Sequence, residues 1–130
     1  MVPNALTPED QSAPRILVVE DDVVIRASAA QFLRDAGFDV LEAADVGSAV
    51  EILQAAADVR VVFIDVTLPG DMSGLDLLEI IQRDFPLMKM LFTSGVAVGD
   101  RLAQRGLPFL RKPYFMFEVE RHIRSLIEGG

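Results

Sequence analysis

Apolar positions along the chain follow two rhythms. Ile16 to Val19 and Val61 to Ile64 are unbroken apolar runs, mostly β-branched. Such runs read as strands buried on both faces, the form taken at the centre of a parallel sheet. Strands are predicted over Ile16 to Val19, Phe38 to Ala43, Val61 to Val66, Met88 to Thr93 and Pro108 to Arg111. The last is placed at an edge, where proline is tolerated.

Between these runs the spacing lengthens to that of a helix with one buried stripe. Ile25, Ala29, Phe32, Leu33 and Ala36 form the first stripe, and Gly37 supplies its stop. One of Glu20, Asp21 and Asp22 starts that helix, by capping or by its charge at the positive end of the dipole. Asp45 caps a second helix with Val46, Ala49, Val50, Leu53 and Ala57 inward; Ser73 caps a third carrying Leu75, Leu78, Ile80 and Ile81. A last helix from Tyr114 to Glu128 turns Met116, Val119, Ile123 and Leu126 inward. Val98, Leu102 and Ala103 give only a glycine-interrupted pattern, so a fourth helix in that region is expected to be short or irregular. Strands alternating with helices predict a doubly wound, five-stranded parallel sheet covered on both faces.

Composition narrows the chemistry. At 130 residues there is room for one domain with a core of its own. Residues 1–14 hold three prolines among polar groups and read as a flexible N-terminal arm, with the folded domain spanning 15–128. Without cysteine, disulfides and thiolate chemistry are excluded, and a cytoplasmic setting is expected. No run is long enough to span a membrane. The net charge of −8 disfavours binding to nucleic acid or to an anionic membrane surface.

The strands of such a sheet end on one rim, where open α/β sheets bind ligands. Strand one ends in Glu20-Asp21, strand three in Asp65, strand four in Thr93-Ser94 and strand five in Lys112-Pro113. Clustered carboxylates repel, so either a pKa rises or a cation binds. Hard oxygen donors with room for water suit Mg²⁺. A divalent ion, the Lys112 ammonium and the Thr93 hydroxyl would then receive a phosphoryl group, with Asp65 as its nucleophile. The plainer readings are a turn-starting Asp65, a capping Asp21, a solvated Lys112 and a Thr93 that is only a strand residue. His122 is placed on a solvated helix face beside Arg121 and Arg124, and of Tyr114, Phe115 and Phe117 at least one is expected outside the core.

The runs ILVVEDD and FIDVTLPG, the Thr93-Ser94 pair and the Lys112-Pro113 step resemble the receiver domain of two-component response regulators, over Arg15 to Glu128. That resemblance implies a flavodoxin-like sheet of order 2-1-3-4-5. It implies Asp65 as phospho-acceptor, Asp21 as a direct Mg²⁺ ligand, Glu20 as a ligand through water and the Thr67 backbone carbonyl as a further ligand. Thr93 is then the switch hydroxyl, Phe109 the switch aromatic, and Lys112 the lysine that meets the phosphoryl group, its bond to Pro113 being cis. Two features depart from the pattern: Gly74 lies one residue further from Asp65 than is usual, and the stretch from Thr93 to Lys112 is short for a full fourth helix.

The resemblance implies a switch phosphorylated by a histidine kinase or a histidine phosphotransfer protein, not a multiple-turnover enzyme. With no basic segment or second domain after the last helix, output is expected through a downstream protein partner or a homodimer. The initial Met argues for a natural start over excision from a hybrid kinase. Two rivals remain: a haloacid-dehalogenase-like phosphatase, which wants an acid where Thr67 stands, and a pseudo-receiver that binds partners without phosphorylation.

Overall fold

The structure, a computed structural model, describes residues 13–56, 58–65, 74–94 and 108–129. In chain order the elements are β1 (Arg15–Val19), α1 (Val23–Asp35), β2 (Asp39–Ala43), α2 (Val46–Ala55), β3 (Val59–Asp65), α3 (Gly74–Asp84), β4 (Lys89–Ser94), β5 (Phe109–Arg111) and α4 (Met116–Gly129). All strand pairs are parallel and the sheet order is β2-β1-β3-β4-β5, the flavodoxin-like arrangement. β5 is an edge strand, as its proline led one to expect. The segment in which a short fourth helix was expected, 96–107, lies outside the described residues.

Side chains alternate across the sheet and build two cores. Leu17, Val19, Val62, Ile64 and Phe92 meet α2 and α3 through Ala49, Leu53, Leu77, Leu78 and Ile81. Ile16, Val18, Val61, Phe63 and Leu91 meet α1 and α4 through Ala29, Ala30, Leu33, Val119 and Ile123. Burying each large aliphatic side chain contributes roughly 1.5–3 kcal/mol. The helices are therefore held by these stripes more than by their intrinsic propensity.

Local signals agree with the boundaries. Asp22 caps α1 by accepting from the Ile25 amide at 2.9 Å, and Asp45 caps α2 by accepting from Ser48 at 2.7 Å. Gly37 follows α1 with φ +104°, a left-handed conformation that an L side chain rarely adopts. Arg124 of α4 donates to the Ala36 carbonyl at 2.7 Å and lies 4.7 Å from the Phe38 ring centre, fastening the end of α1 to α4.

Several positions differ from the sequence expectation. Ile25 and Phe32, expected inward, are 49% and 36% exposed. Ile25 belongs to the first turn of α1, at the open rim beside Val19 and Glu20, and Phe32 flanks the stripe that Ala29, Ala30 and Leu33 fill. β3 begins at Val59, earlier than expected, and includes the exposed Arg60, where the pairing with β1 shifts register. The buried Leu77 joins the third helix's stripe, while Leu75 and Ile80 are only half-buried. The last helix starts at Met116, leaving Tyr114 and Phe115 ahead of it, and His122 is half-buried where a solvated place was expected. Ala57, Val66 and Ser73 lie outside the described residues.

Candidate functional site

Strand register assembles the site. Val19 lies opposite Ile64, so Glu20, one step on, comes level with Asp65; Asp65 lies opposite Thr93, and Thr93 opposite Leu110, just ahead of Lys112. Four separate chain segments therefore reach one rim because the strands that carry them are parallel neighbours. By alternation, Glu20, Asp65 and Thr93 continue the face that α1 and α4 cover.

Glu20, Asp65 and Thr93 are buried, at 7%, 5% and 2% exposure, while Asp21 is exposed. Glu20, Asp21 and Asp65 each present a carboxylate oxygen within 4.8 Å of the other two. Lys112 donates from Nζ to Asp65 Oδ2 at 2.8 Å, and its bond to Pro113 is cis. Burial pushes the Glu20 carboxyl up to about 7; the Asp22 amide, donating to Oε2 at 3.1 Å, works against this, and Asp21 and Asp65 add to it. Burial by itself would lower the Lys112 pKa, but Asp65 and Glu20 outweigh it and hold the ammonium above its ordinary value.

This donor set fits a hard divalent cation. Three carboxylates converge, one of them is costly to ionise where it stands, and the exposed Asp21 leaves the cluster open to solvent. Mg²⁺ takes one or two carboxylates and keeps several waters, a demand this arrangement meets.

The remaining predicted residues are placed as follows. Thr67 lies outside the described residues. Phe109 is half-buried and packs against the α2 and α3 core, whereas Leu110 faces the α1 and α4 core. Phe109 and Thr93 thus stand on opposite faces of the sheet.

Sequence reasoning missed Tyr114. It is half-buried, meets Phe63 edge-on at 6.2 Å, and lines a cavity of about 10 Å³ with Glu20, Asp65 and Thr93. Burial and the charge of Glu20 raise its phenol pKa, and the Lys112 ammonium opposes them. Its place directly after Lys112-Pro113 was the available signal. Arg26 was also missed: it donates to the Glu20 carbonyl at 2.9 Å and pairs with Glu42 at 3.4 Å, anchoring the backbone that presents the acids.

Comparison with known proteins gives a consistent picture. Residues 16–115 match the response regulator receiver domain family. The probable transcriptional regulatory protein TcrX of Mycobacterium tuberculosis is 37% identical over 116 residues, covering 86% of this chain and 49% of that protein. The sensor kinase CckA of Brucella abortus is 32% identical over 87% of this chain and 12% of its own length. Among solved structures, NtrX from Brucella abortus superposes with a TM-score of 0.81 at 31% identity, over 90% of this chain and 27% of that one. A receiver domain protein from Clostridium thermocellum gives a TM-score of 0.82 at 26% identity, over 89% of this chain and 95% of that chain. The chain spans about half or less of the curated relatives named here.

Proposed function

The chain belongs to the response regulator receiver domain family, and we propose that it is a phosphorylation-controlled switch in which Asp65 accepts a phosphoryl group. The carrying observation is a buried carboxylate at the end of the central strand, bonded to Lys112 and grouped with Glu20 and Asp21. The donor is a phosphohistidine on a histidine kinase or a phosphotransfer protein. An Asp65 carboxylate oxygen attacks phosphorus as the P–N bond breaks. The imidazole leaves with the bonding electrons and takes up a proton, and Asp65 becomes an acyl phosphate.

Mg²⁺ would be held by Asp21 and Asp65, by Glu20 through water and by the Thr67 carbonyl, and it supplies charge neutralisation at the transferring phosphoryl group. Lys112 holds Asp65 in place and adds positive charge beside it. Thr93, level with Asp65 in the sheet, offers its hydroxyl to a phosphoryl oxygen. The switch then shifts the population between two packings, with Phe109 and the β4–β5 edge on the responding side.

Each receiver accepts one phosphoryl group per cycle, so the chemistry is stoichiometric. Output goes through a protein partner or a homodimer, a reading supported by Phe115 and Phe117, stacked at 5.5 Å and 70% and 53% exposed. The acidic balance argues against direct contact with nucleic acid. Among the described residues no helix is long and apolar enough to cross a membrane, and a cysteine-free chain suits a cytoplasmic setting. The working unit is residues 15–128, with 1–14 as an arm.

The test is incubation with acetyl phosphate and Mg²⁺, read by intact mass. One acid-stable, base-labile phosphoryl group is expected on the wild type and none on Asp65→Asn. Equal labelling of the Asn variant refutes the assignment.

A further inference from the structure

Tyr114 joins the acid rim to the surface on which α4 begins. Its ring meets Phe63 edge-on at 6.2 Å, and Phe63 is itself buried on the central strand, so that flank of the ring is held. Tyr114 also lines the cavity it shares with Glu20, Asp65 and Thr93, a space of about 10 Å³. A void of that size admits one oxygen-sized group and nothing larger. Tyr114 and Thr93 therefore border one small space, and a change in either alters the room left to the other.

Phe109 is placed differently. Leu91, two residues ahead of Thr93 on β4, packs in the α1 and α4 core, and Thr93 shares its face. Phe109 packs against the α2 and α3 core on the other face. A rotation of Thr93 towards Asp65 opens space on the side where Tyr114 sits, and the sheet itself separates that space from the Phe109 ring.

Tyr114 is also tied to the last helix. The next residue, Phe115, is bonded twice to the first turn of α4: its amide donates to Glu118 Oε1 at 2.9 Å, and its carbonyl accepts from the Glu118 amide at 3.0 Å. Together these bonds fasten the entering chain to the helix, as the acidic half of a capping box does. Phe115 and Phe117 project from this turn as an exposed, stacked pair. A displacement of Tyr114 thus enters the turn that carries them one residue later.

We propose that Tyr114 is the side chain that reads the position of Thr93. When Thr93 turns its hydroxyl to the phosphoryl group on Asp65, the Tyr114 ring advances into the enlarged cavity. The first turn of α4 shifts with it and re-aims Phe115 and Phe117. Tyr114 acts through Thr93 and is a positioning residue. The inference rests on Asp65 as phospho-acceptor and adds the route from that site to the exposed aromatic pair.

Tyr114 is the one tyrosine of the chain, so a ring-fluorinated tyrosine places a single fluorine reporter in the full protein. Its NMR spectrum is recorded before and after incubation with acetyl phosphate and Mg²⁺, with phosphoryl content read by intact mass on the same sample. A second resonance is expected in the wild type, its share of the intensity equal to the phosphorylated fraction. Thr93→Val removes the hydroxyl and leaves the phosphoryl charge, so its phosphorylated form is expected to keep the resting resonance. Thr93→Ser is expected to recover the shifted resonance, and Phe109→Leu to show it as the wild type does. In Tyr114→Leu, the amide shifts of Phe115 to Val119 per phosphoryl group bound are expected to be mostly lost. A phosphorylated wild type with an unmoved resonance overturns the proposal. So does a shift that survives Thr93→Val, which marks a direct effect of the phosphoryl charge, or one abolished by Phe109→Leu. No added mass on the wild type overturns the phospho-acceptor reading and this inference with it.

Discussion

Glu20 links metal binding to pH in a way that can be worked out from its surroundings. Glu20 is buried, with 7% of the residue exposed, and burial lifts its pKa from the ordinary 4.5 to about 7. A cation held by the cluster requires the ionised form, so binding below that pKa must release a proton. The ionised fraction is roughly one-eleventh at pH 6 and ten-elevenths at pH 8, so Mg²⁺ affinity is expected to rise about tenfold across that interval and to level off above it. Calorimetric titration with MgCl₂ in buffers of different ionisation enthalpy reads both the affinity and the proton count. Glu20→Gln should bind more weakly and lose most of the slope. The same shift acts on stability in a defined direction: an acid whose folded pKa is raised makes the metal-free protein less stable as pH climbs from about 4.5 through 7. The difference in thermal midpoint between wild type and Glu20→Gln should follow that window, and Mg²⁺ should offset it. A wild-type affinity that changes less than twofold between pH 6 and 8, or a Gln variant with the same slope, would refute the reasoning.

Other outcomes follow from single contacts. Lys112→Ala removes the cation bonded to Asp65 and should slow phosphoryl uptake from acetyl phosphate by about a hundredfold, the usual cost of losing one charged donor at a reacting centre. Lys112→Arg should not restore the rate, because a planar fork does not replace a compact ammonium. Thr93→Val keeps volume and β-branching in a fully packed position, so it should fold and label normally, while amide shifts of β5 on phosphorylation shrink; unchanged shifts would remove Thr93 from the switch. Gly37→Ala meets no neighbour within 4 Å, so its cost is purely one of backbone conformation. About 1 kcal/mol is expected, a fall of about 3–6 °C in thermal midpoint, and an unchanged midpoint would contradict the left-handed assignment.

The sheet was legible because strands buried on both faces must be apolar throughout, and runs such as Ile16 to Val19 have no other economical use. The rim was legible for a related reason: in a parallel sheet the residue after each strand arrives at the same end, whatever the loops do. What periodicity could not show was where a helix stripe meets an open rim. The stripe that contains Ile25 is real, yet at the first turn of α1 it borders the small cavity beside Glu20 and Asp65, and Ile25 stays half exposed. Nor could it separate Glu20 from Asp21, adjacent acids of which one is buried and the other exposed, since that depends on which side of β1 each one leaves. Tyr114 escaped because an aromatic residue at a helix start is ordinarily core, and its part in the cavity appears only once Thr93 and Glu20 are set around it.

The two ends of the sheet are joined by the same strands, which raises the question of what could pass between them. β3 carries Arg60 at one end and Asp65 at the other; β4 carries Lys89 and Thr93. Arg60 and Asp65 are five residues apart along an extended strand, about 17 Å, about twice the screening length at physiological salt. Direct charge coupling between the two ends of β3 is therefore negligible. Between them lie Val61, Val62, Phe63 and Ile64, all buried and gripped on both faces, so β3 has no free volume in which to slide. In the proposed switch, a signal that begins at Asp65 is thus better carried sideways, through the ladder to Thr93 and on to the three-residue edge strand β5, than lengthwise along β3. Among the described elements β5 is a three-residue strand paired only with β4, so it can change at little cost, which supports β4 and β5 as the responding side of the proposed switch.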